Sequence, residues 1–281
     1  MATSPTVRRR RLAAELKRLR EVSGMTLEDA AAATEVSRST LSRIENAQVG
    51  PKVPVVRALL LTYGVQGAPA EALLQLSRQA NQRSWWQPTY GSVVQSTLGS
   101  FLDLEQEATQ IREYNTVLIP GLLQTEAYAR DVLTAFYFGE TRESVETRLN
   151  LRLSRQVLLK GDTTRAWFIF DEGALRRRVG GPDVMRRQLA HLLDVGTAGN
   201  VTVQVLPYDG GAYPTMGMPF VVFDFPEDPS VVFLENATSG LYLEEVEEAR
   251  HFQAVFDHLR ASAASIRDSA ALIQRVLEET P

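Results

Sequence analysis

The chain has 281 residues, 44% of them hydrophobic and 23% charged, and it contains no cysteine. These totals are typical of a folded protein with two domains, and they exclude disulfide frameworks, thiol nucleophiles and thiolate metal sites. The net charge of −4 divides into a basic part, residues 1–83, with 13 Lys and Arg against 7 Asp and Glu, and an acidic remainder with 17 against 27.

The basic N-terminal part is expected to meet any polyanionic partner, because the acidic remainder would repel one. The chain starts MATSPTVRRRR, which has basic residues but no apolar segment after them that would act as a signal peptide. No apolar run approaches the roughly 20 residues that a bilayer requires. We therefore expect a cytoplasmic protein. The arginines at 8–11 are interpreted either as phosphate-binding groups or as a solvated helix start.

Five short helices are predicted in the basic part from the spacing of its apolar residues and from its capping and turn residues. They span residues 8–22, 26–33, 37–46, 53–63 and 70–79. Such helices, joined by turns of a few residues, predict a compact all-α domain at 1–80. A junction rich in aromatic residues, Pro and Gly follows at 81–91, and we expect Trp85 and Trp86 to dock it onto the second domain.

The third predicted helix lies in EVSRSTLSRIEN, residues 35–46, which has only Val36, Leu41 and Ile44 as apolar anchors. A DNA-reading helix must anchor one edge on its own domain and present donors and acceptors to base edges with the other. Because it follows an Ala-rich helix and a short turn, this stretch has the layout of a helix-turn-helix. A solvated surface helix would also display polar groups, but the helix order, the turn and the basic charge favour DNA binding.

Residues 12–63 resemble the helix-turn-helix family of phage repressors and their bacterial relatives, notably in LKRLREVSGMTLEDAAAATEVSRSTLSRIEN. The resemblance implies DNA contacts from six residues: Ser37, Arg38, Ser39, Thr40, Arg43 and Asn46. Arg38, Ser39 and Arg43 are implied to contact bases, Ser37 and Asn46 the sugar-phosphate backbone, and Thr40 either one. The two arginines suit bidentate contacts with guanine, so the operator is expected to contain guanines.

The same resemblance implies an internal ion pair between Arg20 and Glu45, which makes Glu45 a structural residue rather than a base reader. Two residues depart from the family pattern. Leu27 stands where a phosphate-binding Gln is usual, so that contact is in doubt. Glu35 stands where a turn Gly is usual, and the turn is therefore expected to be strained or slightly different.

The acidic remainder begins with helical patterns and continues with strands. Helices are predicted at 98–115, 125–138, 142–160, 182–195, 243–261 and 265–279, and strands at 165–170, 200–206, 220–225 and 231–235. The linker PEDPS indicates a hairpin between the last two strands. The predicted fold class is α+β, with the all-α five-helix helix-turn-helix domain followed by a larger helical domain with a small β-sheet at 92–281.

The larger domain resembles the C-terminal domain of actinobacterial antitoxin-like transcriptional regulators of the Scr1 type. The likeness is carried by LEQEATQIREYNTVLIPGLLQTEAYARDVL at 104–133, RLNLRLSRQVLL at 148–159, DEGALRRRVGG at 171–181 and VTVQVLPYDGGAY at 201–213. It implies that this domain binds a small protein encoded by an adjacent gene.

Arg148, Arg152 and Arg155 lie at i, i+4 and i+7, so one helix face presents three guanidinium groups. They are interpreted either as a clamp for a phosphate, a carboxylate ligand or an acidic partner, or as a buried structural network. The acids considered for that network are Glu105, Asp171 and Glu172. The network is favoured, because no phosphate-binding loop accompanies the arginines. In PGLLQT, Gln124 or Thr125 either faces a pocket or serves a structural turn, and the turn is favoured.

No catalytic residue, metal site or cofactor is predicted. The histidines at 191, 251 and 258 are too scattered for a shared metal, and the chain has no nucleophile elbow or phosphate-binding loop. The patterns predict a transcriptional regulator that binds double-stranded operator DNA as a homodimer, and the resemblance of the larger domain implies control through a partner protein. Two alternatives remain open, an antitoxin that acts by sequestering its partner and a regulator that senses a small molecule.

Overall fold

The computed structural model describes residues 7–81, 84–226, 228–236 and 240–281. The chain forms two compact units. The first consists of Met1–Pro88 and Val94–Leu104, and the second consists of Thr89–Val93 and Glu105–Pro281. Within the described ranges, no helix combines the length and the apolar character needed to cross a membrane.

Five helices make up most of the first unit. They are α1 (Val7–Val22), α2 (Leu27–Thr34), α3 (Arg38–Glu45), α4 (Val53–Thr62) and α5 (Ala68–Ala80). Their apolar faces share a core in which Leu12, Leu16 and Leu41 are fully buried. The structure confirms the five predicted helices. Helix α5 begins earlier than predicted because Pro69 lies in its first turn, where the missing N–H has no intrahelical partner.

The junction continues into α6 (Gln87–Tyr90) and α7 (Ser96–Glu107). Trp86 lies on α7: its Nε1 donates to Asp103 at 3.0 Å, and a Cβ added at Gly99 would lie 2.6 Å from the indole ring. Only glycine therefore allows this close approach. We expected Trp86 to dock onto the second domain, predicted at 92–281. Instead, Trp86 packs on the segment Val94–Leu104, which belongs to the first unit.

The second unit is built around a β-sheet. Its longer helices are α8 (Glu126–Phe136), α9 (Arg142–Arg155), α11 (Pro182–Val195), α12 (Val246–Ser262) and α13 (Ile266–Glu279), with a short α10 (Glu172–Arg176). Its strands are β1 (Gln110–Asn115), β2 (Arg165–Asp171), β3 (Val201–Leu206), β4 (Phe220–Asp224), β5 (Val231–Glu235) and β6 (Gly240–Leu243). The fold is thus mixed, as predicted in outline.

The six strands lie in the order β3-β2-β1-β4-β5-β6. Strands β1, β2 and β3 are parallel and are connected through helices, whereas β4, β5 and β6 form an antiparallel meander. The hairpin predicted between β4 and β5 is confirmed. Strand β1 lies where the parallel and antiparallel parts meet, with Glu113 opposite Phe168 on β2 and Val221 on β4.

Two predictions for this unit were wrong, and one strand was not predicted. The helix predicted through 115 ends at Glu107, and residues 110–115 form β1; strand β6 was not predicted; and the predicted helix at 243 begins at Val246. The polar side chains of β1 concealed a strand because their partners are distant in sequence: Arg112 donates to both carboxylate oxygens of Asp224, at 2.9 and 2.7 Å. Tertiary pairing of this kind overrides local propensity.

Helix α12 covers one face of the sheet, where Phe252 and Phe256 pack against Phe220. Strand β3 is an edge strand of the sheet, and the α12–α13 connection and the start of α13 cover its C-terminal end. The N–H of Ala264 donates to the Val205 carbonyl at 2.9 Å, and the N–H of Val205 donates to Ser269 Oγ at 3.0 Å. These bonds satisfy edge groups that would otherwise be unpaired.

Candidate nucleic-acid interface

Each of the two helices in the α2–turn–α3 segment begins at a side-chain cap. Thr26 Oγ1 accepts from the N–H of Asp29 at 3.1 Å, and the Thr26 N–H donates to the Asp29 carboxylate at 3.0 Å. Ser37 Oγ accepts from the N–H of Thr40 at 3.2 Å. Because capping residues accept hydrogen bonds from N–H groups that have no partner within the helix, Thr26 and Ser37 determine where α2 and α3 begin.

The turn between the two helices contains Glu35 in the left-handed region, at φ 56° and ψ 18°. This is the position at which the resemblance led us to expect glycine, and a side chain there is strained by contact of its Cβ with the backbone. The prediction of a strained turn is confirmed.

Glu35→Gly is expected to raise the free energy of unfolding of the full chain by about 0.5–1 kcal/mol. The gain comes from removing the strained Cβ, partly offset by the greater freedom of glycine in the unfolded chain. Thermal unfolding monitored by circular dichroism measures the change. Glu35→Ala is the control, because it removes the carboxylate and keeps the strain; equal stabilisation by both variants would contradict the explanation.

A buried ion pair fastens α3 to α1. Arg20 Nε lies 2.7 Å from Glu45 Oε1, and Arg20 Nη2 lies 2.9 Å from Glu45 Oε2. A third bond runs from Arg20 Nη1 to the Met25 carbonyl at 2.8 Å. The hydrogen bond to Glu45 raises the pKa of Arg20 above its ordinary value. The structure therefore contains the Arg20–Glu45 pair that the resemblance implied, and the pair holds α3 in a fixed orientation.

The exposed face of α3 carries the side chains implied to contact DNA. Ser37, Arg38, Ser39, Thr40, Arg43 and Asn46 are all exposed. The hydroxyls at the start of the helix are linked, since Ser37 Oγ donates to Thr40 Oγ1 at 2.8 Å. At the other end, Asn46 Nδ2 donates to the Ser42 carbonyl at 2.8 Å. DNA contact by each of these residues stays a prediction.

The two arginines of this face differ in their surroundings. Arg38 forms an ion pair with Glu28 on α2, and both side chains are more than half exposed, at 65% and 60%. An exposed pair of this kind contributes only about 0–1 kcal/mol, so DNA can displace it. Arg43 has no ion pair among the described residues. The sequence carried no signal for the Arg38–Glu28 pair, because its partners lie on opposite sides of the turn.

The surroundings of Leu27 and of two α1 arginines bear on phosphate binding by the first unit. Leu27 is half-buried against the core of the first unit, which accounts for an apolar residue at the position where the family has Gln. Burial raises the pKa of Asp103, and hydrogen bonds from Ser84 and Trp86 and the charges of Arg9 and Arg8 partly offset that rise. The charges of these two arginines thus reach Asp103, and the binding of phosphates by them stays a prediction.

The three arginines of α9 do not converge on one ligand. Arg155 is paired with Glu105 through Nε and Nη2, at 2.8 and 2.7 Å. Arg148 pairs with Glu140 and lies over the Tyr137 ring, at 3.9 Å from its centre. Arg152 donates to an amide, Gln124 Oε1, at 2.8 Å.

Of the acids considered for these arginines, Glu105 is the one that pairs with an arginine of α9 in the described part of the chain. Glu172 instead accepts from Arg176 and from the N–H of Tyr208, and Asp171 accepts from Tyr213. The favoured network interpretation thus fits Arg155 but not Arg152, whose guanidinium has no carboxylate partner among the described residues.

The first unit, with its capped α2–turn–α3 segment and exposed polar helix, defines a DNA-binding protein of the helix-turn-helix class. A family model described as a helix-turn-helix domain matches residues 11–73. A second model, described as a domain of unknown function (DUF5753), matches residues 98–275, which is more than half of the chain. The chain therefore belongs to the DUF5753 family. Neither a curated protein nor a solved structure matches it.

Proposed function

We propose that the chain is a cytoplasmic, sequence-specific transcriptional regulator that reads its operator with α3. The observation that carries this proposal is the exposed Arg43 guanidinium, which has no ion pair among the described residues. It projects from a helix that the buried Arg20–Glu45 pair holds in place. An exposed guanidinium on a helix held in place in this way suits a bidentate contact with guanine O6 and N7 in the major groove.

We further propose that the regulator binds as a homodimer. A single recognition helix reads only a few base pairs, so useful affinity requires two. Two copies of α3 about 34 Å apart would enter successive major grooves on one face of the duplex. The operator is then a near-palindrome with a guanine in each half-site, and the basic charge of residues 1–83 adds affinity that weakens as salt rises.

Arg43→Ala is expected to lower affinity for the operator by about 1–3 kcal/mol, or roughly 5- to 150-fold, for each half-site, because each half-site loses a bidentate base contact. Weak association with random DNA should change little, since phosphate contacts dominate it. Competition binding against labelled DNA from the chain's own promoter measures both affinities at the same ionic strength.

Arg18→Ala is the matched control for this experiment. Arg18 is an exposed arginine of α1 that pairs with Glu15, so its loss removes the same charge from a helix outside the predicted groove. It should leave the ratio of operator to random affinity unchanged. The operator assignment fails if Arg43→Ala also preserves that ratio.

A second candidate function, control through a partner protein, is supported by exposed aromatic residues in the second unit. Phe136 and Phe138, at the turn between α8 and α9, are 65% and 87% exposed. Exposed apolar surface of this kind is typical of binding sites. The antitoxin-like resemblance supports a small protein from an adjacent gene as the occupant.

A mobility-shift assay with promoter DNA, with and without that protein, separates these roles. A shift that the partner alters supports a controlled regulator. Partner binding without any shift supports an antitoxin that acts by sequestration.

A further inference from the structure

The ion pair between Glu28 and Arg38 joins the starts of α2 and α3 across the turn. Glu28 lies in the first turn of α2, and Arg38 is the first residue of α3, directly after its cap Ser37. In the described part of the chain, Glu28 has Arg38 as its ion-pair partner. One of the two arginines on the exposed face of α3 is therefore already occupied in the protein without DNA.

The pair is not needed to start either helix. At α2, Thr26 and Asp29 form the capping box, and the hydrogen bonds from Thr26 lower the pKa of Asp29, so that carboxylate is already engaged. At α3, the Ser37 hydroxyl is the cap. Because both side chains of the Glu28–Arg38 pair are more than half exposed, the pair also adds little to stability. A structural role alone therefore does not account for Glu28.

The place of Arg38 on α3 favours an anion beside it. The N-terminal end of a helix carries a partial positive charge, so a cation is unfavourable there and a neighbouring anion is favourable. The first turn of α3 contains no acidic residue, and Glu28 supplies the negative charge from α2. Phosphate oxygens or guanine O6 and N7 would supply acceptors to the same guanidinium. The Glu28 carboxylate and DNA therefore compete for Arg38.

We propose that Glu28 is a built-in competitor that lowers the affinity of the regulator for DNA. The inference rests on the proposed reading of the operator by α3. Before Arg38 contacts DNA, its bond to Glu28 must break, and the released carboxylate then remains close to the negatively charged duplex. Both effects weaken binding, and both disappear when the carboxylate is replaced by a neutral group of the same shape. Glu28 thus limits affinity without itself reading a base.

Glu28→Gln is expected to tighten binding of promoter DNA by the full chain roughly two- to fivefold, because it releases Arg38 from an exposed ion pair. Competition binding at low ionic strength, where the pair is least screened, measures the change. A residue that merely held Arg38 in position would give the opposite result, weaker binding. Unchanged or weaker binding by folded Glu28→Gln overturns the proposal. If circular dichroism shows that this variant does not fold, Glu28→Ala decides the matter and should give the same gain.

A double-mutant cycle shows whether the gain depends on Arg38. In the Arg38→Ala background, Glu28→Gln should tighten binding by clearly less than in the wild type, since no guanidinium remains to be released. An equal gain in both backgrounds would mean that only a negative charge near DNA was removed, and it overturns the competition. Glu15→Gln is the matched control, because Glu15 also pairs with an exposed arginine, Arg18, but on α1 outside the predicted groove. It should leave affinity unchanged.

The outcome is separable from that of the operator assignment. If Arg43→Ala lowers the ratio of operator to random affinity while Glu28→Gln leaves binding unchanged, α3 reads the operator but Glu28 does not compete. If Arg43→Ala preserves that ratio while Glu28→Gln tightens binding through Arg38, Glu28 competes with DNA although α3 does not recognise a sequence.

Discussion

Glu45→Ala is expected to lower the free energy of unfolding of the first unit by about 3–5 kcal/mol. The substitution removes both carboxylate oxygens that Arg20 contacts and leaves a guanidinium with 11% side-chain exposure between α1 and α3. A buried charge without its partner retains its desolvation cost but loses the attraction that offset it. Because domains are stable by only about 5–15 kcal/mol, this loss is a large fraction of the stability of the first unit and should lower its unfolding temperature.

Differential scanning calorimetry of the full chain measures this loss. Glu21→Ala is the matched control, because Glu21 also faces Arg20, at 3.7 Å, but is 57% exposed, so its removal should change stability by less than about 1 kcal/mol. The double variant Arg20→Leu/Glu45→Leu should recover much of the loss, since it leaves no buried charge. Similar effects from Glu45→Ala and Glu21→Ala would show that the pair is not what holds α3.

Glu113→Gln is expected to act in the opposite direction and to stabilise the second unit by roughly 3 kcal/mol above pH 7. Burial raises the pKa of Glu113 from 4.5 to about 7. Below pH 4.5 the carboxyl group is protonated in both the folded and unfolded states, so the variant should differ little there. Between pH 4.5 and 7 the folded state holds a proton that the unfolded state has lost, and wild-type stability therefore falls as the pH rises.

Urea unfolding from pH 4 to 8 measures this difference, which should grow through that interval and then level off. Glu143→Gln, at an exposed position on α9, is the control and should give a curve parallel to the wild type. If the Glu113→Gln curve is also parallel to the wild type, the carboxyl group does not titrate near pH 7.

The helix-turn-helix was predictable because its determinants are local. Thr26 and Ser37 cap helices within three residues of themselves, and the anchors Leu41 and Ile44 show a helical spacing. The Arg20–Glu45 pair spans 25 residues and came from the resemblance, not from the spacing. The same comparison identified Glu35 as unusual, and its left-handed backbone is the physical counterpart.

The second unit was less predictable because its interactions cross the chain. The Arg112–Asp224 pair joins residues 112 positions apart, and without knowledge of it the strand QIREYN resembles part of a polar helix. The α9 arginines were identified as a group, but their partners depend on which loops the fold brings close. Nothing in the sequence distinguished Glu105 from Glu172 as the partner of Arg155, and nothing singled out Glu113.

The covering of β3 by the α12–α13 connection has a consequence for assembly. A strand from another molecule that extended the sheet would need the N–H and carbonyl groups of Val205, which Ser269 and Ala264 already occupy. At the opposite edge, the described residues of β6 are Gly240–Leu243. Open sheets can polymerise into fibrils by pairing their edge strands. The bonds to Val205 block such pairing at the C-terminal end of β3, and the described part of β6 is too short to support an extended pairing.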